Sequence, residues 1–436
     1  MKFYNREKEI ALLEKIDKKS KKSAQMTFVT GRRRIGKTSL LIKAGKPEKC
    51  VYFFTAKKNE LLLCSEFAEE VKIKLGAEIF GTIRTFRDLF GYLMELSRTR
   101  HFTLIIDEFQ EFQSINPSVY SEMQDIWDRK KEGSKMNLIL CGSVYSLMKK
   151  IFENSKEPLF GRATQRINIK AFDVRTIKEI LSDHTSGNTS EDLLAFYMIT
   201  GGVAKYVELL TAAGAFTLEL ILDEIFSDSS LFLDEGKNVL IDEFGKDYGN
   251  YFSILSLIAS SKTSRVEIES ILEMQTGGFL ERLEEDFGII RKVRPIFSKP
   301  TSRTLKYEIN DNFLNFWFRF IYKNRSAIEM GNLKYIKELV KRDYKTYSGR
   351  VLEKYFRQKM MEEGKYTAIG TYWEKGNKNE VDIIALNEKE KQVVVAEVKR
   401  KSANIGIGEL KQKADILVKQ FHGYKIIYKG LSMEDM

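Results

Sequence analysis

At 436 residues, 43% hydrophobic and 31% charged, the chain has the make-up of a globular protein of about two to four domains. Five prolines are too few for a long disordered linker, and three cysteines (Cys50, Cys64, Cys141), none in a CxxC pair, argue against structural zinc or a disulfide framework and for reduced thiols. The net charge of +11 is unevenly spread, the polar opening Met1–Glu7 is unlike a signal peptide, and the longest hydrophobic run, Phe313 to Tyr322, is interrupted by Asn315 and Arg319; a cytoplasmic protein without a membrane role is expected.

Residues 1–170 alternate short apolar runs with amphipathic stretches. Met26–Thr30, Val51–Phe54, Leu104–Ile106 and Leu138–Cys141 read as buried strands of a parallel sheet. Stretches around Glu7–Lys18, Thr38–Lys43, Ser65–Leu75 and Tyr120–Arg129 supply the crossover helices. That is an α/β domain covered on both faces.

The first strand runs into Gly31-Arg32-Arg33-Arg34-Ile35-Gly36-Lys37-Thr38, a GxxxxGK[ST] loop, and then into a helix. In that setting Gly31 and Gly36 let backbone N–H groups close on phosphate oxygens. Lys37 reaches the β and γ phosphates, and Thr38, followed by Ser39, offers a hydroxyl to Mg²⁺. ATP with Mg²⁺ is the expected ligand. Thr103-Leu104-Ile105-Ile106-Asp107-Glu108 is the matching acidic strand end: Asp107 holds the metal's water shell and Glu108 polarises the attacking water. Ser143, after the strand Leu138–Cys141, is placed either as a γ-phosphate sensor or as a plain turn serine. Arg162 is a candidate arginine finger in a chain rich in arginine.

Residues 171–240 lose the strand signal. Arg175–Leu181, Glu191–Thr200 and Val203–Leu210, punctuated by Gly201-Gly202, predict a helical lid. Residues 241–300 give three short helices and then Gly288-Ile289-Ile290 and Val293, the pattern of a winged helix. Its third helix carries Glu281, Glu284, Glu285 and Asp286, a poor surface for a DNA groove, so packing or regulation is expected of it. Its wing, Arg291-Lys292-Val293-Arg294, is basic and suits a nucleic-acid backbone. Residues 301–345 form a connector with aromatic and then basic helices. From Arg319 to Lys359 twelve Lys/Arg stand against four Asp/Glu, a net of +8, with Tyr322, Tyr335, Tyr344, Tyr347 and Tyr355 interleaved. Such a tract either neutralises phosphates and stacks on bases or is a solvated helical face.

Residues 346–436 return to α/β order. A helix over Ser348–Glu362 is followed by strands at Thr367–Trp373, Val381–Asn387 and Gln392–Lys399, a helix at Glu409–Gln420 and a strand at Tyr424–Tyr428. Asp382 lies on one strand of a hairpin. Glu397 and Lys399 lie two residues apart on the other, so they share a face, with Ala396 and Val398 toward the core. Two carboxylates bind Mg²⁺ or Mn²⁺, the metal activates water, and Lys399 orients that water or stabilises the phosphorus centre. Glu353, on the preceding helix, offers a further metal ligand.

Two resemblances join these readings. Phe3-Tyr4-Asn5-Arg6-Glu7-Lys8-Glu9, the 31–38 loop, Asp107-Glu108-Phe109-Gln110 and Thr200-Gly201-Gly202-Val203-Ala204-Lys205-Tyr206 resemble the archaeal-type ATPases of the AAA+/STAND group. Tyr307-Glu308-Ile309-Asn310-Asp311-Asn312-Phe313-Leu314-Asn315-Phe316-Trp317-Phe318 resembles the segment that introduces their DUF234 region. The resemblance covers nearly the whole chain. It implies that Arg6 lies near the adenine, that Ser143 is a sensor and that Arg162 is a finger or sensor arginine. The last ninety or so residues resemble the PD-(D/E)xK nuclease superfamily, in the version shared with Holliday-junction resolvases; here Glu380 takes the place before Val381-Asp382. The expectation is a Mg-ATPase whose nucleotide state controls a C-terminal metal-dependent, restriction-endonuclease-like domain acting on DNA. The other reading is a STAND-type switch whose last domain binds nucleic acid or protein without cutting. Either is compatible with a homo-oligomer.

Overall fold

A computed structural model describes residues 2–45, 49–79, 81–245, 248–302 and 304–436. It contains two compact units. Residues 5–170 form one; the N-terminal residues up to Tyr4 and the chain from Ala171 onward form the other.

The first unit runs α1 (Glu7–Ser20), β1 (Gln25–Thr30), α2 (Lys37–Ala44), β2 (Cys50–Phe54), α3 (Glu60–Leu75), α4 (Phe86–Thr99), β3 (Phe102–Asp107), α5 (Phe112–Ile115), α6 (Ser118–Lys130), β4 (Met136–Cys141), α7 (Tyr145–Glu153) and β5 (Gln165–Asn168). The strands form one sheet in the order β2-β3-β4-β1-β5, and every neighbouring pair is parallel. Strands β3 and β4 are buried from end to end, as a central parallel strand with helices on both faces requires. An aromatic-rich core that includes Phe53, Phe67, Phe86, Phe90, Phe109, Phe112 and Trp127 packs on one face of the sheet. Strand β5 was not expected. It is an edge strand with one buried residue in four, so it carries no apolar run to read.

The second unit continues with α8 (Val174–His184), α9 (Ser190–Thr200), α10 (Ala204–Ala212), α11 (Leu218–Ile225), α12 (Phe232–Phe244), α13 (Tyr248–Ala259), α14 (Arg265–Leu272) and α15 (Gly277–Glu285). An antiparallel ribbon follows, β6 (Ile290–Val293) with β7 (Lys306–Ile309). Next come α16 (Asn312–Phe316), a π turn at Trp317–Ile321, α17 (Arg325–Glu329) and the 30-residue α18 (Leu333–Glu362). The chain ends in β8 (Ala368–Glu374), β9 (Lys378–Asn387), β10 (Gln392–Val398), α19 (Ile407–Val418) and β11 (Lys425–Leu431). These four strands make a mixed sheet in the order β11-β10-β9-β8: β8, β9 and β10 are antiparallel, and β11 runs parallel to β10. Val393 and Val395 pack with Leu410, Ala414 and Leu417 of α19. Val394, Ala396 and Val398 are buried as well, so β10 is covered on both faces and Glu397 does not stand on an open one. The fold is thus α/β throughout the two sheets, as the sequence implies.

Candidate functional sites

The loop between β1 and α2 is set by its glycines. Gly36 has φ 87° and precedes α2, a backbone that costs a residue with a Cβ about 1 kcal/mol or more. A Cβ on Gly31 would lie 2.8 Å from the Ile169 carbonyl oxygen. Lys37 is buried, and burial lowers its pKa. Its Nζ donates to the Gly31 carbonyl (2.8 Å) and to the Arg32 carbonyl (3.0 Å), so the ammonium lies across the loop. Thr38 Oγ1 donates to Asp107 Oδ2 at 2.8 Å, and Tyr52 OH donates to the same oxygen at 2.7 Å. The other oxygen, Asp107 Oδ1, accepts the Glu108 N–H at 2.9 Å.

Glu108 sits at φ 53°, in the left-handed region, at the turn that ends β3. Its Oε2 accepts from Ser143 Oγ at 2.6 Å and from Gln110 Nε2 at 2.5 Å. Ser143 therefore reaches the site through Glu108. Ser39, next to Thr38 in the first turn of α2, shares that helix's N-terminus. Arg6, buried, donates from Nη2 to the carbonyls of Lys170 (2.6 Å) and Ile35 (3.4 Å), fixing the start of the chain to the phosphate loop. Arg162 is elsewhere engaged: it pairs with Asp128 at 3.1 Å and donates to the Phe160 carbonyl. Sequence reasoning missed Tyr52 and Gln110. Gln110 lies in the quoted Asp-Glu-Phe-Gln run, so only its partner was hidden.

The second candidate site lies where β9, β10 and α18 meet. The β8–β9 pairing slips between Gly370 and Tyr372, opposite Ile384 and Val381. Asp382 falls in that bulge, which re-aims a side chain that regular alternation would place otherwise. Its Oδ2 accepts the Val398 N–H at 2.7 Å. Burial raises the Asp382 carboxyl above its ordinary range, the negative charge of Glu397 adds to this, and the Val398 N–H and Lys399 oppose it. Glu353, facing the same space from α18, is pushed up to about 8 by burial and by Asp382. Lys399 Nζ lies 3.3 Å from Glu397 Oε1. Glu397 is also held by Lys413 of α19 at 3.4 Å and by the Gly406 N–H at 3.3 Å. Burial pushes the Glu397 carboxyl up, but the two ammonium groups outweigh it and hold the group below its usual range.

Asp382, Glu353 and Lys399 line one cleft of about 610 Å³; Glu397 lies behind Lys399. Among the described residues no three His, Cys, Asp or Glu side chains converge closely enough to hold a metal ion. Asp382 and Glu353 nevertheless suit a divalent cation, because two half-buried acids on one cleft that resist ionisation are stabilised by one.

The basic tract divides differently from its sequence. Lys337 pairs with Glu219 and Asp223, Lys341 with Glu219 at 2.8 Å, and Arg342 with Asp343 at 2.9 Å. Tyr344 and Tyr355 are buried, and Tyr347 is half-buried with its OH on Asn315, so these rings are not a platform for bases. In the ribbon, Arg291 is bound to Glu308 and Lys292 to Glu284. Beside Lys399, Arg400 forks onto Glu191 (2.6 and 2.8 Å) and donates to Ser348 Oγ. None of the described helices is long and apolar enough to cross a membrane.

A parallel sheet with a glycine-lysine-threonine loop at the end of β1, answered by an Asp-Glu pair at the end of β3, defines a P-loop ATPase fold. Residues 3–210 match the sequence profile of an ATPase domain predominantly from Archaea, and residues 317–413 match that of DUF234, archaeal and bacterial proteins of unknown function. The chain joins an ATPase domain of that archaeal type to a DUF234 region. It is 29% identical over 409 residues to the uncharacterized protein MJECL04 of Methanocaldococcus jannaschii, covering 92% of this chain and 88% of the relative. A second protein of that organism, MJ0424, is 39% identical over 56 residues, 13% of this chain and 54% of its own. Among solved structures, the Walker-type ATPase PABY2304 of Pyrococcus abyssi is similar in fold, with a TM-score of 0.56 at 17% identity, over 72% of this chain and 96% of its own.

Proposed function

We propose that the protein binds and hydrolyses ATP in its 5–170 unit, and that its nucleotide state controls a metal-dependent nuclease-like domain in the C-terminal region. The observation that carries the first half is the chain of contacts Thr38–Asp107–Glu108–Ser143, which starts on the phosphate loop and ends beyond the acidic strand. Mg²⁺ bound with ATP would neutralise phosphate charge. Lys37 exchanges its two loop carbonyls for phosphate oxygens, and Thr38 and Asp107 hold the metal side. Glu108, freed from Ser143 and Gln110, accepts the proton of the attacking water. Arg6 braces the loop near the base. Arg162, released from Asp128, would serve a neighbouring copy of the chain, which size-exclusion with and without ATP tests.

For the C-terminal domain the support is Asp382, Glu353 and Lys399 on one cleft. Mg²⁺ or Mn²⁺ there would activate water for attack on a phosphodiester. Asp382 and Glu353 would hold the cation, with Glu397 as a further ligand if its pairs with Lys399 and Lys413 open, and Lys399 would position the water. We read α13–α15 with the β6–β7 ribbon as a winged helix that packs beside this site, and DNA as the polymer. The test is nicking of a plasmid in Mn²⁺, with and without ATP, by wild type and Lys399→Ala. A second reading, an ATP switch whose last domain binds without cutting, is favoured by the two lysines that already neutralise Glu397. Absence of nicking with retained DNA binding would select it.

A further inference from the structure

The cleft that holds Asp382 and Lys399 extends well beyond them. Its opposite wall is the ribbon (Val293 and Lys306–Ile309), and its length follows one face of α18 through Tyr347, Arg350, Lys354 and Arg357. At 1.5 Å per residue, Thr346 to Arg357 spans about 16 Å. Arg319 and Arg350 line it as well, and so do the carboxylates Glu267, Glu308 and Glu380. Arg357 is buried, and its Nε is fully enclosed without a hydrogen-bond partner. The nearest carboxylate to that guanidinium, Glu308, is 4.0 Å from Nη2 and already bound by Arg291. A buried guanidinium N–H left unsatisfied is costly, and an acceptor brought into the cleft beside Arg357 would relieve that cost once the side chain turns toward it.

We propose that this cleft seats a single strand of nucleic acid, whose phosphates lie along Arg319, Arg350 and Arg357 and lead to the Asp382–Lys399 end. A slot of about 610 Å³, walled by the ribbon on one side and by α18 and the sheet on the other, has the size of a small-molecule site. A duplex presents two strands with their bases paired inward, a bulkier body than one strand, and so suits a slot of this volume less well. Guanidinium groups suit phosphate oxygens through paired N–H donors. The inference rests on the nuclease reading for its direction along the cleft but not for the binding itself.

The test is fluorescence anisotropy of the full chain with labelled ten-nucleotide single strands, DNA and RNA, and with a blunt duplex of the same sequence. The titrations are run in Ca²⁺ over a series of salt concentrations. We expect the single strand to bind at least tenfold more tightly than the duplex. Arg350→Ala, an exposed position, and Arg319→Ala should each lower the salt slope by about 0.7, the share of one phosphate on a single strand. Arg357→Lys should weaken binding while thermal melting stays near wild type. Equal or tighter binding of the duplex, or unchanged slopes in Arg350→Ala and Arg319→Ala, would overturn the proposal. Tight single-strand binding without any plasmid nicking would leave it standing and sink only the cleaving reading.

Discussion

Replacing Glu353 with glutamine should make the C-terminal region more stable in alkali and change it little in acid. Burial and Asp382 push the Glu353 carboxyl from 4.5 to about 8. Between those values the folded state holds a proton that the unfolded chain releases, so stability falls as pH rises through that window. The penalty is absent below the lower value and complete above the higher. At 1.36 kcal/mol per pKa unit the shift corresponds to at most about 5 kcal/mol. The side chain keeps some contact with the cleft, which brings a realistic figure to about 2 kcal/mol. In a unit of this size that is about 4–8 °C in melting temperature. Glu353→Gln keeps the shape, loses the ionisation and eases that of Asp382. Thermal melts of both proteins at about pH 5 and pH 8.5 are the assay, with the gain expected only at the higher pH. Mn²⁺ should raise the wild type at that pH more than the variant, since the cation relieves the same repulsion. A gain of equal size at both pH values, or a loss at the higher one, would refute the reasoning.

Other substitutions separate the remaining roles. Lys37→Ala should abolish ATP binding, whereas Glu108→Gln should bind ATP and lose turnover; equal ATPase rates in the latter and in wild type would remove Glu108 from the chemistry. A methyl added at Gly142 would collide with the Gln110 amide and Met148, so Gly142→Ala should lower kcat about tenfold by loosening Glu108, with KM little changed in steady-state assays. Asp382→Ala and Glu397→Ala should each remove metal-dependent nicking while leaving the ATPase rate intact. Neutralising Lys337, Lys341, Arg342 and Lys345 together should change the salt slope of DNA binding by less than one, because three of the four are already paired with acids; a larger drop in a filter-binding series would mean that those pairs open to phosphates.

The parts that could be read from the sequence are those whose signal is local. The four apolar strands of the first unit, its phosphate loop and the order of strands and helices after Thr367 lie within a few residues of where periodicity puts them. What stayed hidden depends on residues far apart in the chain. Tyr52 reaches Asp107 across two neighbouring strands, and Lys413 reaches Glu397 from a helix. The bulge that holds Asp382 leaves no mark on a pattern of period two. The basic tract misleads for the same reason: its charge is visible in one segment, but its counter-charges, Glu219 and Asp223, lie more than a hundred residues earlier.

Helix α18 is unbroken from Leu333 to Glu362, so Lys337 and Glu353 stand on one stiff rod. About 24 Å separates them along its axis. A tilt of about 5° at the Lys337 end would carry the Glu353 end sideways by about 2 Å, enough to make or break a metal contact. Glu219 and Asp223 of α11 hold Lys337, and Glu191 of α9 holds the chain beside Lys399, so the rod and the strand end are gripped from the same helical region. A small shift of that region would be felt at the acids as leverage, with no flexible joint along the helix to absorb it.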